Sequence, residues 1–221
     1  MDILSDSMKI LVACEYSGKV RDAFALLGHD VMSCDLLPTD APGKHYQGDM
    51  FDLNLESFDM IIAHPPCTAL CVSGNRHYAN TKARIEGAEF VAKVWRIPVK
   101  KMAIENPVGV INSLIPNMPK PQYIQPWQYG HGETKKTGLW TRGLPELIPT
   151  EIVDGRDDRI HKMPPSPDRW KKRSETYQGI ADAFAIQYTA FINSGITIAE
   201  WGDLLNGIDI HNSNAIMAEY V

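Results

Sequence analysis

Met8-Lys9-Ile10-Leu11-Val12-Ala13-Cys14-Glu15-Tyr16-Ser17-Gly18 is an apolar run that stops on a turn. From Lys19 to Leu27 the apolar residues Val20, Ala23, Phe24 and Leu27 return every three or four positions, the spacing of an amphipathic helix, and Gly28 closes it. His29 to Asp35 reads as a second strand ending on an acid. Strand, glycine-bearing turn, helix and acid-terminated strand make the opening unit of a nucleotide-type parallel sheet, whose terminal carboxylate accepts from ribose hydroxyls. Gly18 alone supplies permissive backbone, so a simple turn is the competing reading.

Working outward, Gly48-Asp49 offers a second carboxylate after a short third strand, and Phe58 to Ala63 forms a fourth that runs into His64-Pro65-Pro66-Cys67. Each proline lacks an N–H and fixes φ, so the chain leaves its sheet there and carries Cys67 out on a stiff turn. Open α/β sheets bind ligands outside the carboxyl ends of their strands, which positions this thiol for chemistry. The bland alternative is a small buried hydrophobe. Asn80 to Trp95 again has helical spacing, and Lys101 to Ile104 is a short strand ending in Glu105-Asn106-Pro107. Glu105 thus repeats the placement of Cys67 one strand over, unless it is an exposed loop acid or a cap. In a dry site desolvation raises a glutamate toward neutrality, so that it donates or shares a proton with a ring nitrogen.

Residues 116–128 read as loop with one short strand, and Gly130 to Trp140 turns into an apolar strand near its end. Residues 141–173 read as a short irregular insertion. Its second half sets Lys162, Arg169, Lys171, Lys172 and Arg173 against Asp168, with Trp170 among them. Such a patch holds phosphates and stacks a base, or is merely a solvated basic loop. Glu175 to Phe191 is helical with Ser174 as its N-cap. The acidic extension 195–221 adds a helix or a homo-oligomer contact, and the polar first seven residues read as a loose lead-in. A chain of 221 residues is read as one domain, and 27 acidic against 22 basic residues, net −5, give no global basic footprint. Four cysteines, without a signal-type or membrane-spanning apolar run, point to a cytoplasmic protein with reduced thiols and no membrane partner.

Several of these residues carry one resemblance. Pro66-Cys67-Thr68-Ala69-Leu70-Cys71-Val72-Ser73-Gly74 resembles the catalytic-loop motif of DNA cytosine-5 methyltransferases, and Ala103-Ile104-Glu105-Asn106-Pro107 resembles their Glu-Asn-Val motif. Cys14 to Gly18 resembles their first S-adenosylmethionine motif, and Asp35 and Asp49 fall where that family has its ribose and adenine acids. The resemblance implies a Rossmann-like S-adenosylmethionine-dependent methyltransferase fold, a mostly parallel twisted sheet with helices on both faces. It implies S-adenosylmethionine held by Cys14, Glu15, Tyr16, Ser17, Gly18, Asp35, Asp49 and Pro65. Catalysis would fall to Cys67, Glu105 and Lys135, with Pro66, Ser73, Arg76, Asn106, Lys136 and Thr137 on the substrate. Similar short stand-alone proteins occur in bacteriophages and prophages, and the resemblance implies the cytoplasm, that of a bacterial host if the chain is phage-encoded.

The departures are specific. Cys14 and Tyr16 stand where the family has Phe and Gly, so the cofactor loop must bend differently. The Gln-x-Arg-x-Arg motif reads Glu133-Thr134-Lys135-Lys136-Thr137, its last arginine falling on Thr137, and an ammonium does not reproduce a planar fork. The gap from Thr141 to Arg173 is too short for a recognition domain, leaving duplex DNA, single-stranded DNA or a free pyrimidine nucleotide as substrate. In the implied reaction Cys67 attacks C6, Glu105 hydrogen-bonds N3, C5 takes the methyl group, and loss of the C5 proton expels the sulfur. A thiolate is required, so nearby N–H groups or a cation should depress the Cys67 pKa.

Three rivals stand beside this. A zinc nucleobase deaminase needs Pro-Cys-x-x-Cys after an upstream His-x-Glu. Here Cys67 and Cys71 are one residue too far apart with no such motif before them, so no metal is expected. Amino-methyltransferases of DNA bases use Asp/Asn-Pro-Pro-Tyr/Phe, of which His64-Pro65-Pro66-Cys67 keeps only the prolines. The third is a catalytically altered protein that binds S-adenosylmethionine, a nucleotide or a host protein and acts against a bacterial defence.

Overall fold

The computed structural model describes residues 7–221. The polar lead-in therefore lies outside the described residues except for Ser7, whose hydroxyl donates to the Gly28 carbonyl at 3.0 Å. In chain order the elements are β1 (Lys9–Ala13), α1 (Lys19–Leu26), β2 (Asp30–Asp35), β3 (His45–Gln47), β4 (Met60–Ala63), α2 (Asn75–Tyr78), α3 (Lys82–Trp95) and β5 (Lys101–Pro107). There follow α4 (Ile111–Leu114), β6 (Gln122–Ile124), β7 (Thr137–Arg142), α5 (Arg159–Lys162), α6 (Arg169–Ser174), α7 (Gln178–Ser194), α8 (Ile198–Leu205) and α9 (Ile210–Ala218).

The strands form one seven-stranded sheet in the order β3-β2-β1-β4-β5-β7-β6. From β3 to β5 every pairing is parallel, while β7 runs antiparallel to β5 and to β6. This is the expected Rossmann-like α/β architecture. Because strand side chains alternate, Ile10 and Val12 face one layer and Leu11 and Ala13 the other. On the first face Phe24 of α1 and Phe184 and Tyr188 of α7 close the core; on the second, Val91 and Val94 of α3 and Ile111 of α4 do. Each such fully buried side chain contributes about 1.5–3 kcal/mol. β1 lies between β2 and β4, so the chain order switches direction there, which opens a crevice at the strands' carboxyl ends.

Three local expectations change, and the helical alternative holds for the extension. β5 runs on through Glu105 and Asn106 to Pro107, because β7 pairs with all three at Leu139, Gly138 and Thr137. Ser174 does not cap α7: its hydroxyl lies 2.9 Å from the Tyr16 hydroxyl and donates to the Lys171 carbonyl, and the helix starts after Tyr177. The insertion is not wholly irregular, since it contains α5 and α6. The extension beyond Gly195 forms α8 and α9, whose Trp201 and Met217 pack on Phe191 of α7. Among the described residues no helix is long and apolar enough to cross a membrane.

Candidate active site

The turn after β1 is shaped by two left-handed residues, Cys14 (φ 58°) and Gly18 (φ 78°). At Gly18 the left-handed φ favours glycine, and a Cβ would also displace the Arg21 guanidinium. Between them the buried Glu15 carboxylate accepts from the Val20 N–H at 2.7 Å and the Arg21 N–H at 3.3 Å, closing the first turn of α1 from within. Glu15 is thus engaged by its own chain. Ser17 supports it, its hydroxyl donating to the same carboxylate at 3.3 Å.

Asp35 and Asp49 end β2 and follow β3. Each commits one oxygen to its own backbone, accepting from the Leu37 N–H and the Phe51 N–H at 2.9 Å. Both charges reach the Cys14 thiol, whose pKa burial pushes up to about 12 with their help. Cys14, Asp35 and Asp49 therefore share one region, and each carboxylate keeps a second oxygen able to accept from hydroxyl or ammonium groups. That pair of acceptors suits a ligand that carries hydroxyl and amino groups.

Cys67 leaves the end of β4 as expected and is partly exposed. Its carbonyl accepts from the N–H groups of Leu70 and Cys71, both at 2.9 Å, which winds the chain into a single turn. That turn is fastened on three sides. The Asn106 amide donates to the Pro65 carbonyl at 2.8 Å, Val72 and Val110 N–H groups bond across to Val108 and Leu70, and Arg84 of α3 donates to the Ala69 carbonyl at 2.8 Å. Arg84 also donates to the Asn75 side chain at 2.7 Å. Two glycines allow this packing: a Cβ on Gly74 would sit 2.3 Å from the Thr68 carbonyl, and one on Gly109 2.1 Å from that of Leu70.

β4 and β5 are adjacent and parallel, so Glu105 emerges beside the Cys67 turn. Its carboxylate accepts from His64 Nδ1 at 2.6 Å and from the Thr176 hydroxyl at 3.4 Å. Lys135, two residues before β7, donates its ammonium to the Glu175 carbonyl at 3.1 Å and lies 5.7 Å from the Tyr177 ring centre. Glu105 and Lys135 both act on Cys67, Glu105 and Cys67 both act on Lys135, and Lys135 acts in turn on Glu105.

Two electrostatic expectations are reversed. The Cys67 thiol lies above its usual pKa, because burial, Cys71 and Glu105 outweigh the pull of Lys135. Glu105 lies below the usual carboxylate range: burial pushes it up, but the His64 hydrogen bond and charge, aided by Lys135, pull it further down. Burial in turn lowers Lys135, against the attraction of Glu105 and Cys67.

The remaining expected contacts divide. Pro65 is buried and Pro66 exposed; Ser73 is exposed with its hydroxyl 3.1 Å from the Cys71 sulfur, and Arg76 points to solvent on α2. Asn106 is buried and holds the turn, rather than facing an open cleft. Thr137 is also buried, its hydroxyl donating to the Lys135 carbonyl at 3.0 Å. Lys136 points the other way from Lys135 and lies over the Tyr123 ring at 4.5 Å.

The segment 169–177 closes the site from above. Tyr16 donates to the Lys171 carbonyl at 2.8 Å, Lys171 pairs with Asp40 at 2.7 Å, and Lys19 pairs with Glu175 at 2.9 Å. Next to it lies a cavity of about 460 Å³ lined by Lys19, Arg159, Lys172, Thr176 and Tyr177 among others. Sequence reasoning gave no role to His64, Arg84 or Thr176. Only His64 carried a signal, standing directly before the two prolines at a strand end.

The chain matches no family model and no curated protein. Among solved structures it is similar to a prophage-encoded E. coli protein described as a DNA modification methyltransferase, at 17% identity over 66% of this chain and 52% of that one, TM-score 0.42. It is also similar to the S. pombe Dnmt2 methyltransferase, at 13% identity over 71% and 54% of the two chains, TM-score 0.39. A triple mutant of Spodoptera frugiperda DNMT2 gives 18% identity over 68% and 55%, TM-score 0.37. The chain spans about half the length of each.

Proposed function

We propose that this chain transfers a methyl group from S-adenosylmethionine to C5 of cytosine, in DNA or a related pyrimidine nucleotide, through a covalent bond between Cys67 and C6. The observation that carries the reading is the meeting of a partly exposed thiol, a buried carboxylate and an ammonium at the ends of neighbouring strands. Beside them is a loop whose acids suit a ribose and an amino group.

Asp35 and Asp49 would hold the cofactor through their uncommitted oxygens, next to Cys14. When bound, S-adenosylmethionine supplies the electrophilic methyl group. Cys67 rests as a thiol and must lose its proton before it attacks; Lys135 is the cation that favours the thiolate. Glu105, ionised at rest, accepts from the exocyclic amine of cytosine and fixes the ring beside the sulfur. A base inside a duplex must first leave its stack, at a cost of a few kcal/mol. Lys19, Lys172 and Arg159 line the neighbouring cavity and would meet its phosphates.

The test is incubation with labelled S-adenosylmethionine and duplex, single-stranded and mononucleotide acceptors, followed by mass analysis of the nucleosides. A 5-methylcytosine product, lost in Cys67→Ala with cofactor binding retained, is the expected result. Label on an exocyclic nitrogen, or turnover by Cys67→Ala, would overturn the reading.

A further inference from the structure

Addition of a thiolate to C6 needs a proton at N3, and a carboxylate held ionised by its neighbours has none to give. The proton nearest to Glu105 is on His64. These two side chains are 12% and 10% exposed, and Nδ1 lies 2.6 Å from Oε2. The other ring nitrogen, Nε2, is buried with no hydrogen-bond partner, so the imidazole has one exit for its proton, toward Glu105.

We propose that His64 is the resting home of the proton that Glu105 delivers to cytosine N3, the two acting as one acid. This rests on the methyl-transfer reading above. Glu105 first takes the Nδ1 proton of His64, leaving a neutral imidazole and a carboxylic acid. As the sulfur–C6 bond forms, the C5–C6 π pair becomes the C4–C5 π bond, and the former C4–N3 π pair takes that proton from Glu105, which returns to carboxylate. When the thiolate is later expelled, N3 returns its proton by the same path and the pair is reset. His64 never touches the ring and acts only through Glu105.

The surroundings favour a proton stored on the imidazole. Glu15 faces it from the end of β1 and Glu105 from β5, both holding the charge, while Lys135 opposes it from the approach to β7. Thr176, ahead of α7, donates to Glu105 and keeps that carboxylate an acceptor. Burial alone would strip the imidazole of its charge, and the two carboxylates overcome it.

The experiment follows thioether formation with 5-fluorocytosine acceptors (duplex, single strand and mononucleotide) across pH, in wild type and His64→Gln. Glutamine keeps a donor against Glu105 but carries no transferable proton. Near neutral pH the variant should lose about 10²-fold or more. Its activity should recover as the pH falls, because Glu105 must then carry the proton itself. An unshifted profile, or an equal loss at every pH, overturns the proposal by reducing His64 to a prop. If His64→Gln does not fold, NMR titration of the His64 ring in wild type and Glu105→Gln decides: its pKa should drop in the variant, and an unmoved value overturns the proposal. Wild type forming no thioether with any acceptor sinks the methyl-transfer reading and this inference together. Wild type reacting while the variant keeps its profile sinks this inference alone.

Discussion

Replacing Arg84 by methionine isolates the grip of α3 on the turn that presents Cys67. The guanidinium is almost buried, and its partners are the Ala69 carbonyl at 2.8 Å and the Asn75 side chain at 2.7 Å, neither of them a carboxylate. Bonds from a charged donor are worth about 1.5–3 kcal/mol each, so the loop loses about 3 kcal/mol at the lower end. Methionine restores the apolar stem and removes the several-kcal/mol cost of burying a charge, so global stability should move much less than that. The effect therefore concentrates in local opening. A 3 kcal/mol loss raises the opened population by about a hundredfold. Native-state alkylation with iodoacetamide, resolved by peptide mass spectrometry, should show Cys67 reacting correspondingly faster in Arg84→Met, with the urea midpoint nearly unchanged. A Cys67 rate equal to wild type would refute the view that α3 holds this turn.

Three further expectations concern the His64–Glu105 pair, Gly109 and the α7 face of the core. His64, raised above its ordinary value, contributes stability in full below a pH of about 6.5 and loses it as pH climbs through the folded-state value. Glu105, lowered, contributes above about 4.3 and loses it as pH falls through its own. The stability gap between wild type and Glu105→Gln should therefore be widest between those two values, and denaturation curves giving a pH-independent gap would contradict the ion pair. Gly109→Ala puts a methyl 2.1 Å from the Leu70 carbonyl, where only backbone can yield, and should cost about 1–3 kcal/mol in urea titration. An unchanged midpoint would count against the close approach. Phe184→Ala, deleting a fully buried ring between α7 and the sheet, should cost about 3–5 kcal/mol; a loss well below this in the same assay would mean the face is looser than its packing implies.

What the sequence made legible was whatever local pattern controls. The alternation of β1 and the three-to-four spacing of α1 and α3 are written in neighbouring residues. The prolines after His64 could only mean an exit from the sheet, so Cys67 and Glu105 on adjacent strand ends were foreseeable. Distant partners hid the rest. β5 reaches Pro107 because β7, some thirty residues on, pairs with it. Ser174 looks like a cap, yet its hydroxyl lies beside Tyr16, 158 positions away. The protonation states of Cys67 and Glu105 went the other way from expectation for the same reason. Cys67 depends on how deeply it is enclosed and on Lys135 and Glu105 from other strand ends, and Glu105 on His64, which stands 41 positions before it.

The strap formed by residues 169–177 grips the turn after β1 at Tyr16 and Lys19, and in the same few residues touches Lys135 and Glu105. A chain emerging from the ribosome would therefore own a nearly finished sheet long before it owned a reaction vessel. The two walls of the proposed site, the turn after β1 and the Lys135–Glu105 side, are fixed by one late stretch, so neither can mature ahead of the other. Long-range closures of this kind are slow to form, and catalytic competence should lag behind the appearance of secondary structure during refolding.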